Sequence, residues 1–521
     1  MAVKTLIISN ENLTFDQIRT YISTDQKIKL NGDIKKLVQL SRNVIEEILQ
    51  SDQTVYGVNT GFGKFSEVKI SRDKVEELQK RLVYSHAAGT GRPINPEIVR
   101  LIMLLKIKSL GLGHSGCRLQ IVELLAKMLD NSVIPVIPEK GSVGASGDLA
   151  PLAHMTLVMM GKGSAYIRDR KTRQTKGWIT LGGREALEKY NLKPVILKAK
   201  EGLALLNGTQ VSTAMAIWAY LKAKNLVKVA DIVGALTLEA LLGTLTPFDS
   251  KIQKLRNHPG QKLASANIRK ILADSPVVAS HKHDDDRVQD AYSLRCIPQV
   301  HGAVRDALVY VGDVLFREMN SVTDNPLIFP DKKNVISGGN FHAAPVGYAC
   351  DLMGIVLSDL SNISERRIEH MQDPSVSLLP GFLTRSGGLN SGFMIAHVTA
   401  AALSSENKVL AHPASVDSIP TSANKEDHVS MATHAARKCL EITDNLENIL
   451  SIELLSACQA LDLRAPLSPS ESTGAALEIV RSHIPFLKND RQIYKDMELA
   501  RKLISSGELI SAVEKTCGPL Q

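Results

Sequence analysis

Nowhere does this 521-residue chain run for the ~18 uninterrupted apolar residues that a membrane-spanning helix requires. Even its apolar stretch 226–248 carries Lys228, Asp231 and Glu239. The first eight residues lead into polar sequence, without the apolar core and small-residue cleavage site of a secretory signal. A cytoplasmic protein with no membrane partner is therefore expected. Cysteine is sparse and scattered (Cys117, Cys296, Cys350, Cys439, Cys458, Cys517), with no CxxC and no metal-finger spacing, so reduced thiols are expected rather than a disulfide framework or zinc site. Aromatic residues make up only 4%, which leaves the core to Leu, Ile, Val, Ala and Met. The net charge, 62 − 54 = +8, is thin for this length. Its densest basic stretch, 168–176, has no aromatic platform or second basic stripe, so it reads as an exposed hairpin tip and no nucleic-acid partner is expected. The acidic run 282–286 has no second ligand set, and no metal is expected.

What the chain does have is helical periodicity. Asn95-Pro96-Glu97 is a helix start, with a capping side chain and proline in the first turn. Ile121, Val122, Leu124, Leu125, Met128 and Leu129 mark an apolar stripe at three-to-four spacing, and similar stripes run through 203–226, 304–319, 349–371, 397–410 and 428–455. Strand-like material is confined to 5–9, 133–137 and a Tyr166/Trp178 hairpin. The expectation is a mainly α protein: a smaller, more irregular N-terminal part over 1–200, then a long central helix bundle over 201–521.

One string stands apart: Gly141-Ser142-Val143-Gly144-Ala145-Ser146-Gly147-Asp148-Leu149-Ala150-Pro151-Leu152-Ala153-His154. Its glycines permit positive φ and close backbone approach, and Pro151 lies near an apparent helix start with Asp148 as its cap. If the Gly147 nitrogen reaches the Ala145 carbonyl carbon, loss of water closes a five-membered imidazolinone. Dehydration of Ser146 then leaves an exocyclic methylene. Reactive side chains are mostly nucleophiles, acids and bases; this would be an electrophile. Tyr56-Gly57-Val58-Asn59-Thr60-Gly61-Phe62-Gly63 is glycine-rich but lacks the Gly-Lys-Ser/Thr ending of a phosphate-binding loop. Further candidates are His86 in Ser85-His86, Asn207 in an apolar helical stripe, Gln289, Tyr292 and Arg295 in one short segment, Phe341, and Glu426 in Thr421-Ser422-Ala423-Asn424-Lys425-Glu426.

These motifs, from Tyr56 to Glu426, resemble those of the ammonia-lyases and aminomutases that carry a 4-methylideneimidazol-5-one (MIO) group. The resemblance implies an MIO formed autocatalytically from Ala145, Ser146 and Gly147, with no external cofactor. It further implies a helical homotetramer whose active sites take residues from more than one subunit, acting on a small-molecule amino-acid substrate. It makes Tyr56 the β-proton base on a lid and Tyr292 a residue that helps form or polarise the electrophile, although the two tyrosines can exchange roles. A tyrosine base needs a positive or hydrogen-bonding environment to lower its pKa. Arg295 would clamp the substrate carboxylate. Asn207 would bind the ring or that carboxylate, His86 the substrate side chain, and Gln289 the substrate, with Phe341 packing near the electrophile. Glu426 and the Ser85-His86 pair match the members acting on histidine, implying elimination of ammonia to give urocanate. Members acting on phenylalanine or tyrosine usually carry glutamine in place of Glu426 and are the alternative. Lys425 departs from the commoner glutamine of this segment.

Overall fold

The chain starts its helices where capping chemistry allows. In the computed structural model, which describes residues 5–24, 26–51, 53–168, 177–283, 285 and 287–521, Asn95 Oδ1 accepts from the Glu97 N–H at 2.9 Å and Pro96 occupies the first turn of helix Pro96–Gly111. That helix is buried from Ile98 to Gly111, lysines included. Buried ammonium groups need acceptors: Lys106 donates to the Asn207 carbonyl at 2.6 Å, and Lys108 to the carbonyls of Ser9 and Glu11 at 2.9 and 2.7 Å. The stripe at 121–129 is the buried face of helix Leu119–Asp130. The expected hairpin tip at 169–176 and two members of the acidic run, Asp284 and Asp286, lie outside the described residues.

The fold is mainly α, with strands only in small sheets. Ser164–Arg168 pairs antiparallel with Trp178–Gly182, as the hairpin reading expects, and also with Ile134–Pro135. Thr5–Ile8 pairs parallel with Lys27–Leu30. Strands Lys27–Leu30, Thr90–Pro93, Pro138–Lys140, Leu327–Phe329 and Asn334–Ile336 have no counterpart in the sequence reading. Three or four residues are too few for a period-two pattern to register.

The chain forms two compact units, Met1–Trp218 with Gly312–Cys350 and Pro413–Arg437, and Ala219–Val311 with Asp351–His412 and Lys438–Gln521. A single boundary near residue 200 does not describe this division. Four of its five cuts fall inside helices of 31, 23, 29 and 32 residues, Gln210–Ala240, Ile297–Met319, Ala344–Gln372 and Ala432–Leu463, and the fifth lies between His412 and Pro413. At ~1.5 Å per residue the longest spans roughly 48 Å, and no linker composition marks a cut within a continuous helix. The first unit has a core cluster of Val44, Ile45, Ile48, Val58, Val75, Ala199 and Ile328. In the second, the four long helices meet at buried charges. Glu453 accepts from Thr237 at 2.8 Å and pairs with Arg367, while Asp231 pairs with His301 and Arg305 at 2.8 and 2.7 Å. Such pairs add little net stability, yet removing one partner typically costs about 3–5 kcal/mol. Burial pushes the Cys117 and Cys458 thiols up to about 12, which keeps them protonated and unreactive. Among the described residues no helix is long and apolar enough to cross a membrane.

Candidate active site

The loop 141–148 is bent by its glycines and clamped on both sides. Gly144 and Gly147 have φ of +67° and +69°. A Cβ on Gly144 would come within 2.2 Å of Ser430 Oγ, and one on Gly147 within 2.2 Å of the Gly208 carbonyl oxygen. Only glycine fits either place. On one side Asp148 N–H donates to Gly208 O at 2.8 Å; on the other Met431 N–H donates to Val143 O at 2.9 Å and Ser430 Oγ to Gly144 O at 2.9 Å. Helix Leu149–Met159 begins immediately after, so Ala145–Gly147 stands at a positive helix end.

Two local expectations change. Asp148 does not cap the helix that follows it. Its buried carboxylate accepts instead from the Val211 and Ser212 N–H groups at 3.0 and 2.8 Å, capping helix Gln210–Ala240, and from the hydroxyls of Ser212, Ser142 and Thr433. Burial raises its pKa against those donors. Nor does Asn207 sit inside a helix. The stripe 203–226 is broken after Leu206, where Asn207 is extended (ψ 137°) and Gly208 has φ +124°. The break brings Gly208 against Gly147, a tertiary contact that periodicity does not report.

A cavity of about 970 Å³ in the first unit gathers Tyr56, His86, Ala145, Ser146, Asn207, Phe341 and Glu426 on its lining. Gly147 is buried against Gly208 behind it. Gln289, Tyr292 and Arg295 are not on this lining. They belong to the second unit, where Tyr292 is 69% exposed, the Arg295 guanidinium lies 4.5 Å from its ring centroid, and Arg295 Nε has no hydrogen-bond partner. Sequence reasoning missed an apolar wall of Leu82, Leu149, Leu203 and Leu206. It also missed His342 and His428, whose rings stack 5.7 Å apart. His342 is adjacent to Phe341 in the chain, but nothing local to its sequence marks it.

Glu426 is the most constrained polar group on the lining. Its Oε1 accepts from Ser146 Oγ at 2.7 Å, and its Oε2 from Thr421 Oγ1 and Ser422 Oγ at 2.7 and 3.0 Å. Asn207 Nδ2 faces two acceptors, Asn325 O at 3.2 Å and Asp324 Oδ1 at 3.4 Å, which leaves Oδ1 buried without a partner. Asp324 is itself paired with buried Lys200 at 2.8 Å. Burial raises the Tyr56 pKa above 10, the Gly63 N–H opposes this, and the Glu426 charge adds to it. Among the described residues the net shift is upward, opposite to the lowering that a tyrosine base requires.

His86 Nδ1 lies 2.8 Å from the Leu82 carbonyl, which can only accept. The neutral ring therefore carries its proton on Nδ1 and keeps Nε2 as an acceptor. Burial, the largest influence, lowers the His86 pKa below 6.5, opposed by the Leu82 bond and the Glu426 charge. The folded chain thus binds this proton less readily than the unfolded one. The stability His86 confers is complete above pH 6.5 and declines as pH falls toward the folded-state value. An NMR titration of ¹³C-histidine-labelled protein, with His86 assigned by His86→Asn, is expected to place the midpoint below 6.5; one at or above 6.5 would contradict this environment.

A helical framework that sets a small tripeptide between left-handed bends at Gly144 and Gly147, beside a carboxylate and a tyrosine, defines a lyase-type site. This chain belongs to the aromatic amino acid lyase family, whose model matches residues 13–482. A histidine ammonia-lyase from Natranaerobius thermophilus is 49% identical over 515 residues, covering 99% of both chains. The crystal structure of histidine ammonia-lyase from Trypanosoma cruzi is similar with a TM-score of 0.89 at 41% identity, over 98% of this chain and 95% of that one. Tyrosine aminomutase from Streptomyces globisporus matches with a TM-score of 0.91 at 33% identity, over 99% of this chain and all of that one.

Proposed function

We propose that this chain is a histidine ammonia-lyase, eliminating ammonia from L-histidine to give trans-urocanate, the first step of histidine breakdown. The observation that carries the reading is Glu426, on the same cavity wall as Ser146 and 2.7 Å from its hydroxyl. Opposite a phenyl ring in this largely apolar cavity, Oε1 of the carboxylate would have no partner once the Ser146 hydroxyl is lost, which is unfavourable. An imidazole N–H satisfies it, and in the imidazolium form His86 Nε2 offers an acceptor to the other ring N–H.

The residues fit an MIO: the loop is bent at Gly144 and Gly147, closed around Ala145–Gly147, and needs no external cofactor. Once formed, the group supplies an electrophilic methylidene that binds the substrate amine and makes its nitrogen a better leaving group. The remaining work falls to side chains. Asn207, whose Oδ1 is buried without a partner, is assigned to the ring or the substrate carboxylate, and Arg295 clamps that carboxylate. Phe341 and the leucine wall exclude water. Tyr56 holds a proton in the free chain and takes the β-proton only when a cation stands beside it.

That cation, and the carboxylate clamp, are assigned to Arg295 of the partner subunit in a cytoplasmic homotetramer with shared active sites, delivered together with Gln289 and Tyr292. Outward apolar residues in the second unit support such assembly: Val309, Tyr310, Ile355, Ile395, Val398 and Val409 are all exposed. Exposed apolar residues of this kind, where they adjoin, commonly mark interfaces. Incubation with L-histidine tests the function directly. Growth of urocanate absorbance is expected; cinnamate, coumarate or a β-amino acid formed from phenylalanine or tyrosine in its place would overturn the reading.

A further inference from the structure

The backbone from Thr421 to Glu426 is costly. Ser422, Ala423 and Asn424 have φ of +51°, +52° and +63°, three consecutive non-glycine residues in a region that L side chains disfavour. The ends of this loop are tied to each other, Thr421 N–H to Glu426 O at 2.9 Å and Glu426 N–H to Thr421 O at 3.3 Å. The strained path has one visible consequence. It brings two hydroxyls, Thr421 Oγ1 and Ser422 Oγ, onto a single carboxylate oxygen, Glu426 Oε2. The carboxylate cannot turn about its last bond without breaking both contacts. Oε1 is thereby held toward residue 146, where Ser146 Oγ meets it at 2.7 Å. Strain of this kind, when it persists, concentrates where a side chain must be aimed.

We infer that Thr421 and Ser422 are specificity-determining positioning residues, which lock the Glu426 carboxylate so that Oε1 meets the imidazole N–H of the substrate. The inference rests on the histidine reading above. Neither hydroxyl touches the substrate; both act through Glu426. Loss of the Ser146 hydroxyl on maturation removes the one partner of Oε1 and leaves Oε2 still held, so the seat is ready for an imidazole.

The test compares ligands with and without an imidazole in the full-length enzyme. Thr421→Val with Ser422→Ala removes both donors at nearly constant volume; Thr421→Ser keeps a hydroxyl in place. In the double variant, KM for histidine and the calorimetric Kd for urocanate are expected to rise about tenfold or more, the scale of hydrogen bonds to a charged group. Expected to hold steady are kcat within about threefold, the Kd for cinnamate and the near-ultraviolet signature of the matured tripeptide. Thr421→Ser should restore most of the urocanate affinity. Unchanged urocanate binding in the double variant, or equal weakening for urocanate and cinnamate, would overturn the inference while leaving the histidine reading intact. A wild-type enzyme that binds no histidine would overturn both.

Discussion

Ser146→Ala is expected to take turnover of histidine to background while the chain still folds. Alanine has no hydroxyl to lose, so no methylidene can form at position 146. None of the remaining groups on the cavity lining is an electrophile that can bind the substrate amine covalently. Enzymatic accelerations commonly reach 10⁶-fold and beyond, and this account places the chemical part of that gain on the matured tripeptide. Ser146 makes one side-chain hydrogen bond, to Glu426, and the clamps on the loop run through Val143, Gly144 and Asp148. Its removal should therefore change the melting temperature by only a few degrees. Circular dichroism and a urocanate assay on the same preparation check both halves. Activity within tenfold of wild type would remove Ser146 from the chemistry.

Glu426→Gln is expected to give the second largest effect. Glutamine matches the volume and can still accept from Thr421 and Ser422, but it offers the imidazole a neutral oxygen in place of a charged one. Hydrogen bonds to charged groups are worth about 1.5–3 kcal/mol, which at 1.4 kcal/mol per decade is roughly a 10- to 150-fold loss in kcat/KM for histidine. Binding of cinnamate should hold or improve, since the charge opposite a phenyl ring has gone. Steady-state kinetics with histidine and a cinnamate titration measure this. Unchanged histidine kinetics would take Glu426 out of substrate recognition.

The chemistry of this protein is more legible in its sequence than its geometry. The string around Ala145-Ser146-Gly147 is local, and a bent loop of small residues is encoded by the glycines that bend it. The Asn95–Pro96 cap and the stripe at 121–129 are local too, and the structure contains both. Partners distant in sequence are another matter. Asp148 precedes a helix and so looks like its cap, yet the carboxylate serves the helix beginning at Gln210, 62 residues on. Asn207 lies in an apolar period of the right spacing, but the approach of Gly147 to Gly208 overrides helix propensity there. The left-handed run at 422–424 is invisible in Ser-Ala-Asn, since no glycine announces it. Gln289, Tyr292 and Arg295 form a recognisable cluster in sequence, and nothing in that cluster says which copy of the chain it serves.

We propose that residues 145–147 close on themselves and lose two waters. Intact-mass spectrometry of the purified, active chain, with the modified peptide mapped after digestion, tests it most directly. The account predicts a mass lower by two water molecules, localised to the peptide containing Ala145, Ser146 and Gly147. An active preparation whose mass equals that of the unmodified sequence would contradict it.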